Sequence, residues 1–179
     1  DEIIDLVARY RAKVISLEQF QENPALVERA EIVYGHLSGE AFSKAQKLKW
    51  LQGTSAGIDW LERNHIPPHP AIITKARIHA EVISEHLFGM LLHFSRKLNE
   101  AVEHQRHHTW KGPASVPMRL KGKTLCVLGL GVIGRQCARV AEAMGMDVIG
   151  VKRMPEAIPS VRQVYCSEGL HEALAQADV

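Results

Sequence analysis

The spacing of hydrophobic residues changes near residue 79 and again near residue 123, and these changes predict how the chain is organised. Before residue 79, short apolar runs alternate with short amphipathic patches, a pattern typical of a small open α/β layer. The predicted extended segments are Lys13–Ser16, Glu31–Gly35, Leu48–Leu51 and Ala71–Thr74, and the predicted helical segments are 3–10, 24–29 and 40–47. Residues 1–78 are therefore predicted to form one domain.

A single long helix is predicted for His79–Gln105, because apolar residues recur there at steps of three and four. At 1.5 Å per residue such a helix spans roughly 40 Å, more than one small domain needs. We therefore expect it to bridge two layers or a subunit interface, with residues 79–111 forming helix and linker together. The segment Gly112–Gly122, which contains two prolines, continues as linker into a second domain over 112–179.

The second domain opens with a run of β-formers, Thr124–Leu128, that lacks polar alternation, as expected for a strand buried on both faces of a parallel sheet. The glycine-rich turn Gly129–Gly134 follows directly, then a helix that should stop at Gly145 and a second strand at Val148–Val151. A G-x-G-x-x-G turn is weak evidence alone, but between a buried strand and a helix it predicts a dinucleotide-binding site.

Each residue of this turn has a chemical role in that interpretation. Gly129 permits a tight turn, Gly131 lets the backbone approach a pyrophosphate, and Gly134 lets the helix pack close to the strand. The amides of Val132 and Ile133, at the positive end of the helix dipole, would face the phosphate oxygens. The alternative is a strand-to-helix turn that binds no ligand.

The residue that selects the cofactor should lie at the end of the second strand, where an acid would bind the adenosine ribose. Lys152 and Arg153 occupy that place, and Asp147 precedes the strand and so belongs at the opposite edge of the sheet. Two cations without an acid fit a 2′-phosphate, so NADP is expected over NAD. The alternative is an NAD site beside two solvated cations.

Composition excludes several function classes. The 179 residues are 46% hydrophobic and 23% charged with a net charge of +2, and no basic stripe suited to nucleic acid is present. The apolar run Leu87–Leu92, which ends at His93, is far shorter than the about 20 residues of a membrane span, and the start lacks a signal-peptide pattern. Three scattered cysteines argue against disulfides and for a cytoplasmic location.

The segments together resemble the D-isomer specific 2-hydroxyacid dehydrogenase family, in the type of its glyoxylate and hydroxypyruvate reductases. The resemblance is carried by Leu48–Gln52, Ser55–Asp59, His79–His86, Phe88–Leu92, Trp110, Leu120–Thr124, the glycine turn and Gly145–Gly150. It implies a flavodoxin-like substrate domain and a Rossmann domain, both doubly wound parallel sheets, and a homodimer built on the long helix.

The resemblance also implies where the substrate binds. Backbone amides of Ser55, Ala56 and Gly57 would hold its carboxylate, since small residues let amides approach an anion, and Thr74 would lie on the nicotinamide side. The alternative for the loop is a plain strand-to-helix turn. The family's catalytic Arg, acid and His would follow Val179, so we expect the chain to be truncated and inactive alone. A flavodoxin-like layer normally starts with a strand, and the first predicted element here is a helix, so we expect the first strand to be missing as well.

The function expected from this resemblance is reduction of a small 2-oxo acid to a D-2-hydroxy acid, with NADPH favoured. Three alternatives stay open. One is an NAD-dependent relative such as a phosphoglycerate or formate dehydrogenase. The second is a non-catalytic, corepressor-like module that binds a dinucleotide. The third is a degenerate gene product without activity.

Overall fold

Each half of the chain builds its own three-stranded parallel sheet. The computed structural model describes residues 7, 9–10 and 12–179, so the helix predicted over 3–10 lies largely outside the described residues. The chain divides into two compact units, Asp1–Arg77 and Ile78–Val179. In chain order the first unit contains α1 (Leu17–Glu22), a 3-10 helix (Pro24–Arg29), β1 (Ile32–Tyr34), α2 (Gly39–Lys44), β2 (Trp50–Gln52), α3 (Trp60–Arg63) and β3 (Ile72–Thr74).

The sheet of the first unit has the order β1-β2-β3, with all neighbours parallel. Side chains alternate between its two faces, and the register places Val33, Leu51 and Ile73 in one row across the strands. That row packs into a core with Phe42 and Trp60, supplied by α2 and α3. The adjacent row, Ile32, Trp50 and Ile72, points away from this core and is exposed.

The strand predicted at Lys13–Ser16 is wrong, because Ser16 begins a helix instead. Its hydroxyl accepts from the amide of Gln19 at 3.3 Å, and the Gln19 side chain accepts from the Ser16 amide at 3.0 Å. This reciprocal capping box satisfies two amide donors that would otherwise lack partners at the start of α1. The other predicted strands of this unit are confirmed within a few residues.

The second unit holds the helices and strands around the glycine turn. Its elements are α4 (Ala80–Ser95), α5 (Leu98–Arg106), β4 (Thr124–Leu128), α6 (Val132–Ala143), β5 (Asp147–Val151), β6 (Gln163–Tyr165), a 3-10 turn (Ser167–Gly169) and α7 (Leu170–Ala175). In the described part of the chain, none of the helices is both long and apolar enough to cross a membrane.

The single helix predicted from His79 to Gln105 is wrong, because the helix breaks after Ser95. Lys97 adopts the left-handed conformation, with φ 58° and ψ 35°, and α5 restarts at the next residue. The Ser95 carbonyl accepts instead from the Met118 amide at 2.8 Å, so a chain segment from the linker takes the place of the next helical turn. Apolar periodicity continues through the break, which is why the sequence alone did not reveal it.

The second sheet has the order β4-β5-β6, and the other edge of β4 bonds to Asp178 and Val179. Parallel pairing joins β4 to β5 and β5 to β6, and the Lys123 carbonyl faces β5. On the opposite edge of β4, the Thr124 carbonyl accepts from the amides of Asp178 and Val179, and the Cys126 amide donates to Val179 at 2.9 Å. The chain is thus hydrogen-bonded along both edges of β4, an arrangement that fits a topological switch point at the end of this strand.

The core of the second unit forms where α6 packs on its sheet. Cys137, Ala138 and Ala141 face Leu125 and Val148, and all five are buried. The small alanines let the helix backbone approach the sheet closely. Burial raises the pKa of the Cys137 thiol, which therefore stays protonated and serves as a packing residue. The structure confirms an α/β architecture of parallel sheets in both units.

Candidate nucleotide-binding site

The glycine turn leaves the carboxyl end of β4, the strand that is hydrogen-bonded along both of its edges. Gly129 has φ +96°, which an L side chain rarely adopts, and its amide donates to the Val151 carbonyl of β5 at 3.0 Å. The turn is therefore bonded to the ends of two neighbouring strands. In open α/β sheets, ligands bind in the crevice above such carboxyl ends.

Two later glycines of the turn differ in what surrounds them. A Cβ at Gly134 would collide with the Gly129 carbonyl oxygen and come within 3.1 Å of the Val127 side chain. A Cβ at Gly131 would meet nothing within 4 Å. Gly134 is thus required by packing inside the protein, whereas the space over Gly131 is open to a bound molecule.

Leu130 anchors the turn on the second strand, and sequence reasoning missed it. Its side chain is buried, and a Cβ at Gly150 of β5 would lie only 2.7 Å from its Cδ1. Leu130 therefore fills the space left by the glycine. The available signal was Gly150 itself, since a glycine inside a buried strand often marks a close approach by another residue.

The first turn of α6 presents free amides. Gly131 is its N-cap and has no side chain to bind them, and the first intrahelical bond is donated by the Arg135 amide to the Gly131 carbonyl at 3.0 Å. The amides of Val132, Ile133 and Gly134 precede that bond, so they have no partner within the helix. Together with the helix dipole they favour an anion such as a pyrophosphate.

An acid lies among the cations at the end of β5, contrary to expectation. The Glu156 carboxylate accepts from the Arg135 guanidinium at 2.5 Å and also pairs with the Lys152 ammonium. Arg153 is exposed and forms no ion pair with any residue that the structure describes. The sequence prediction of two cations with no acid is therefore wrong, because the chain turns back after Arg153 and brings Glu156 to Lys152.

Arg135 was also missed, although it directly follows the last glycine of the turn. Its Nε donates to the Leu130 carbonyl at 3.1 Å, so the guanidinium is held beside the turn while its other end binds Glu156. The ammonium of Lys152, followed by the guanidinium of Arg135, keeps the pKa of the Glu156 carboxyl below its ordinary value. Arg135, Lys152 and Glu156 are called the cationic cluster below.

The predicted substrate loop lies in the first unit, at the carboxyl ends of its strands. Ser55 and Ala56 are half-buried and Gly57 is exposed. A ring nitrogen of His36, which follows β1, lies 3.0 Å from the Ser55 hydroxyl, and the Ser55 carbonyl accepts from the Ala76 amide at 3.1 Å. Sequence reasoning missed His36, which only the strand order brings to this loop.

Thr74 ends β3 on the same edge, with its hydroxyl already engaged. It lies 2.6 Å from the Gln52 side-chain oxygen and accepts from the Trp50 indole at 2.7 Å, and the Thr74 carbonyl accepts from the Gly53 amide at 2.8 Å. These bonds tie the end of β3 to the start of the predicted substrate loop. Its contact with a nicotinamide remains a prediction, since the glycine turn belongs to the other unit.

The second unit matches a family of known proteins over most of its length. Residues 88–179 match the family described as the D-isomer specific 2-hydroxyacid dehydrogenase, NAD binding domain. The chain belongs to this family. The match includes the glycine turn and the cationic cluster, so the geometry above is that of an NAD binding domain of a D-isomer specific 2-hydroxyacid dehydrogenase.

Solved structures and curated relatives agree with this family. A D-isomer specific 2-hydroxyacid dehydrogenase family protein from Aeromonas salmonicida is 34% identical, with a TM-score of 0.76 over 88% of this chain and 51% of its own. An NADPH-dependent glyoxylate/hydroxypyruvate reductase from Sinorhizobium meliloti, solved with NADP and sulfate, is 27% identical, with a TM-score of 0.70 and the same coverage. D-3-phosphoglycerate dehydrogenase from Methanocaldococcus jannaschii is 26% identical over 90% of this chain.

The chain spans about half the length of these structures, at 51%, and 31% of the archaeal phosphoglycerate dehydrogenase. The relatives include both an NADPH-dependent reductase and phosphoglycerate dehydrogenases. The family is therefore established, whereas the substrate and the preferred cofactor are matters for proposal.

Proposed function

We propose that the full-length protein reduces a small 2-oxo acid to the D-2-hydroxy acid, with NADPH as the favoured cofactor. The observation that carries the proposal is the open space over Gly131 at the topological switch point, with the cationic cluster at the end of the neighbouring strand. This arrangement fits a dinucleotide, because an anion-binding turn and a cationic ribose site lie at adjacent strand ends.

The residues of the second unit would hold the cofactor as follows. The amides of Val132 and Ile133 would bind the pyrophosphate, and Lys152 and Arg153 would bind the 2′-phosphate of the adenosine ribose. When bound, the nicotinamide supplies the hydride that adds to the substrate carbonyl carbon. Cationic side chains at the ribose end favour the phosphorylated cofactor by charge.

The loop Ser55–Gly57 would hold the substrate carboxylate through backbone amides, with Thr74 beside it. Ala56 and Gly57 present no bulky side chain, so an anion can approach their amides directly. The proton that neutralises the alkoxide would come from a residue beyond Val179, where the family resemblance places the Arg, the acid and the His. Glyoxylate and hydroxypyruvate are the first substrates to test.

We further propose that the protein forms a homodimer through α4 and α5. At 100° per residue, Ile83, Met90 and Phe94 lie within about 40° of one another on α4, and all three are exposed. The buried residues Ser84 and Phe88 lie on a different side of the helix. A helix with an apolar stripe outside its own core favours a partner.

A cytoplasmic location is proposed from the cysteines. Cys126, Cys137 and Cys166 are all unpaired, which suits a reducing compartment. Neither nucleic acid nor a membrane is proposed as a partner, since the net charge of +2 comes without a basic stripe.

The test is the rate of NADPH oxidation by purified full-length protein with glyoxylate or hydroxypyruvate, followed by absorbance. We expect turnover that falls when NADH replaces NADPH at equal concentration. Turnover with NADH alone, on a phosphorylated three-carbon acid, would favour the phosphoglycerate dehydrogenase alternative. Tight cofactor binding without turnover on any 2-oxo acid would contradict the proposal and favour the non-catalytic module.

A further inference from the structure

We infer that Glu156 is a specificity-determining residue: it competes with the 2′-phosphate of NADP for the two cations of the cluster, Lys152 and Arg135, and so sets the preference between NADP and NAD. The inference rests on the proposed function and deepens it. Glu156 lies outside the strand-end position where a ribose-binding acid is usually sought, being five residues beyond Val151.

The position of the cluster is fixed from both sides. The Lys152 amide donates to the Tyr165 carbonyl of β6 at 3.0 Å, which holds this residue at the end of the sheet. Arg135 is bound to the Leu130 carbonyl of the turn. Glu156 therefore bridges a residue fixed at the glycine turn and a residue fixed at the end of β5, the two places that a dinucleotide would have to span.

The charges show why the carboxylate is a competitor. Lys152 and Arg135 contribute two positive charges and Glu156 one negative charge, so the cluster carries one net positive charge in the structure. A 2′-phosphate carries about −1.5 to −2 at neutral pH and prefers the same donors. The phosphate would bind Lys152 only after Glu156 releases it, and Glu156 in place would repel the phosphate.

The Glu156 side chain has space to move away from Lys152 and Arg135. Its side chain is 52% exposed, whereas that of Lys152 is 27% exposed. A groove with a volume of about 670 Å³ lies along the connection from β5 to β6. Glu156 lines this groove together with its neighbours Pro155 and Ala157. With NAD no displacement is needed, and the carboxylate that stays in place is an acceptor of the kind that binds a ribose 2′-hydroxyl.

The test compares dissociation constants of NADPH and NADH for the full-length protein by fluorescence titration, in the wild type and in Glu156→Gln. We expect Glu156→Gln to bind NADPH about three- to tenfold more tightly, because the displaced ion pair is an exposed one. NADH binding should stay equal or weaken. The ratio of the two constants is decisive, since a structural effect alone would change both in the same direction.

Two further variants complete the design. Glu103→Gln is the matched control, because Glu103 also pairs with two basic side chains, Arg106 and His107, but on α5; it should leave the ratio unchanged. Adding Lys152→Gln to Glu156→Gln should remove the gain in NADPH affinity if the gain acts through Lys152.

The outcomes separate the two proposals. A wild type that binds neither NADPH nor NADH overturns the proposed function and this inference with it. A wild type that binds them, with a Glu156→Gln ratio equal to that of the wild type, overturns the inference and leaves the proposed function standing. A gain that persists without Lys152 also overturns it.

Discussion

Gly131 and Gly134 show how two identical residues in one turn meet different requirements. The clash at Gly134 is with the protein's own backbone, while the space over Gly131 is open. Gly134 is therefore required by packing and Gly131 is not, which fits the proposed approach of a ligand at Gly131; the G-x-G-x-x-G pattern alone does not make this distinction.

Alanine substitution should separate these two roles. Gly134→Ala should lower the free energy of unfolding by about 1–3 kcal/mol, because the added methyl group overlaps the Gly129 carbonyl. Gly131→Ala should keep stability near the wild-type value and weaken NADPH binding on the order of tenfold or more. Urea unfolding and fluorescence titration measure the two effects. Equal loss of stability in both variants would contradict the assignment.

Asp178 is bonded to the start of β4 through its carboxylate. Its carboxylate accepts from Lys123 at 2.7 Å and from the Thr124 amide at 2.9 Å, and these bonds lower the pKa of Asp178. A lowered native pKa means stability that is present above the unfolded-state value and is lost as the pH falls through the native value.

Asp178→Asn should therefore be less stable than the wild type at neutral pH, with the difference closing as the pH falls from about 5 toward 2. Thermal unfolding at a series of pH values measures it. The control is Asp147→Asn, because Asp147 forms no ion pair with a described residue. A difference that does not change with pH would show that the charge of Asp178 is not what holds this segment.

Among the elements, those predicted well are the ones whose signals are strong and local. The strand Thr124–Leu128 is confirmed residue for residue, since a run of β-formers that leads directly into a glycine-rich turn has few other interpretations. The break at Lys97 was not predictable, because it depends on the distant Met118 amide. β6 was missed, since the polar residues Arg162 and Gln163 interrupt the apolar residues around Gln163–Tyr165 and no apolar run marks the strand.

The residues of the candidate site show the same difference between local signals and contacts from distant parts of the chain. The glycines and the free amides of α6 follow from one continuous motif and were predicted as such. Glu156 and Arg135 act across a gap of 21 residues, and His36 reaches Ser55 across 19. Such pairs are created by strand order and side-chain reach, which periodicity does not encode.

Lys97, which lies between α4 and α5, has a left-handed backbone conformation that favours glycine. Lys97→Gly should raise the free energy of unfolding by about 1 kcal/mol, because a Cβ at φ 58° is strained and glycine is not. Lys97→Ala is the control and should bring no such gain. Urea unfolding of the full-length protein distinguishes them. A destabilised Lys97→Gly would show that the break is not kept in solution.

For the whole molecule, the apolar stripe on α4 makes self-association the main expectation. Phe94 is 67% exposed, an unusual position for a large aromatic side chain, and its ring centroid lies 5.3 Å from that of the adjacent His93. The proposed dimer would bury it together with Ile83 and Met90 without disturbing the core residues Ser84 and Phe88.

Phe94→Glu should convert a dimer of the full-length protein to a monomer and leave the folded monomer intact, since a charge at a buried interface is costly whereas the same charge in water is not. Sedimentation velocity measures the change, with circular dichroism to verify folding. The control is Glu85→Gln. At 100° per residue, Glu85 lies on the opposite side of α4 from Phe94, so this substitution should not affect the dimer. A wild type that sediments as a monomer would contradict the proposal.

Evolution can change positions 130 and 150 only together. Any residue larger than glycine at position 150 would claim the volume that the Leu130 side chain now fills, and a smaller residue at position 130 would leave a void over the strand. Homologous turns should therefore keep the summed size of this pair while exchanging its members. A swap made at one position alone should shift the turn, and with it the amides proposed to bind the pyrophosphate.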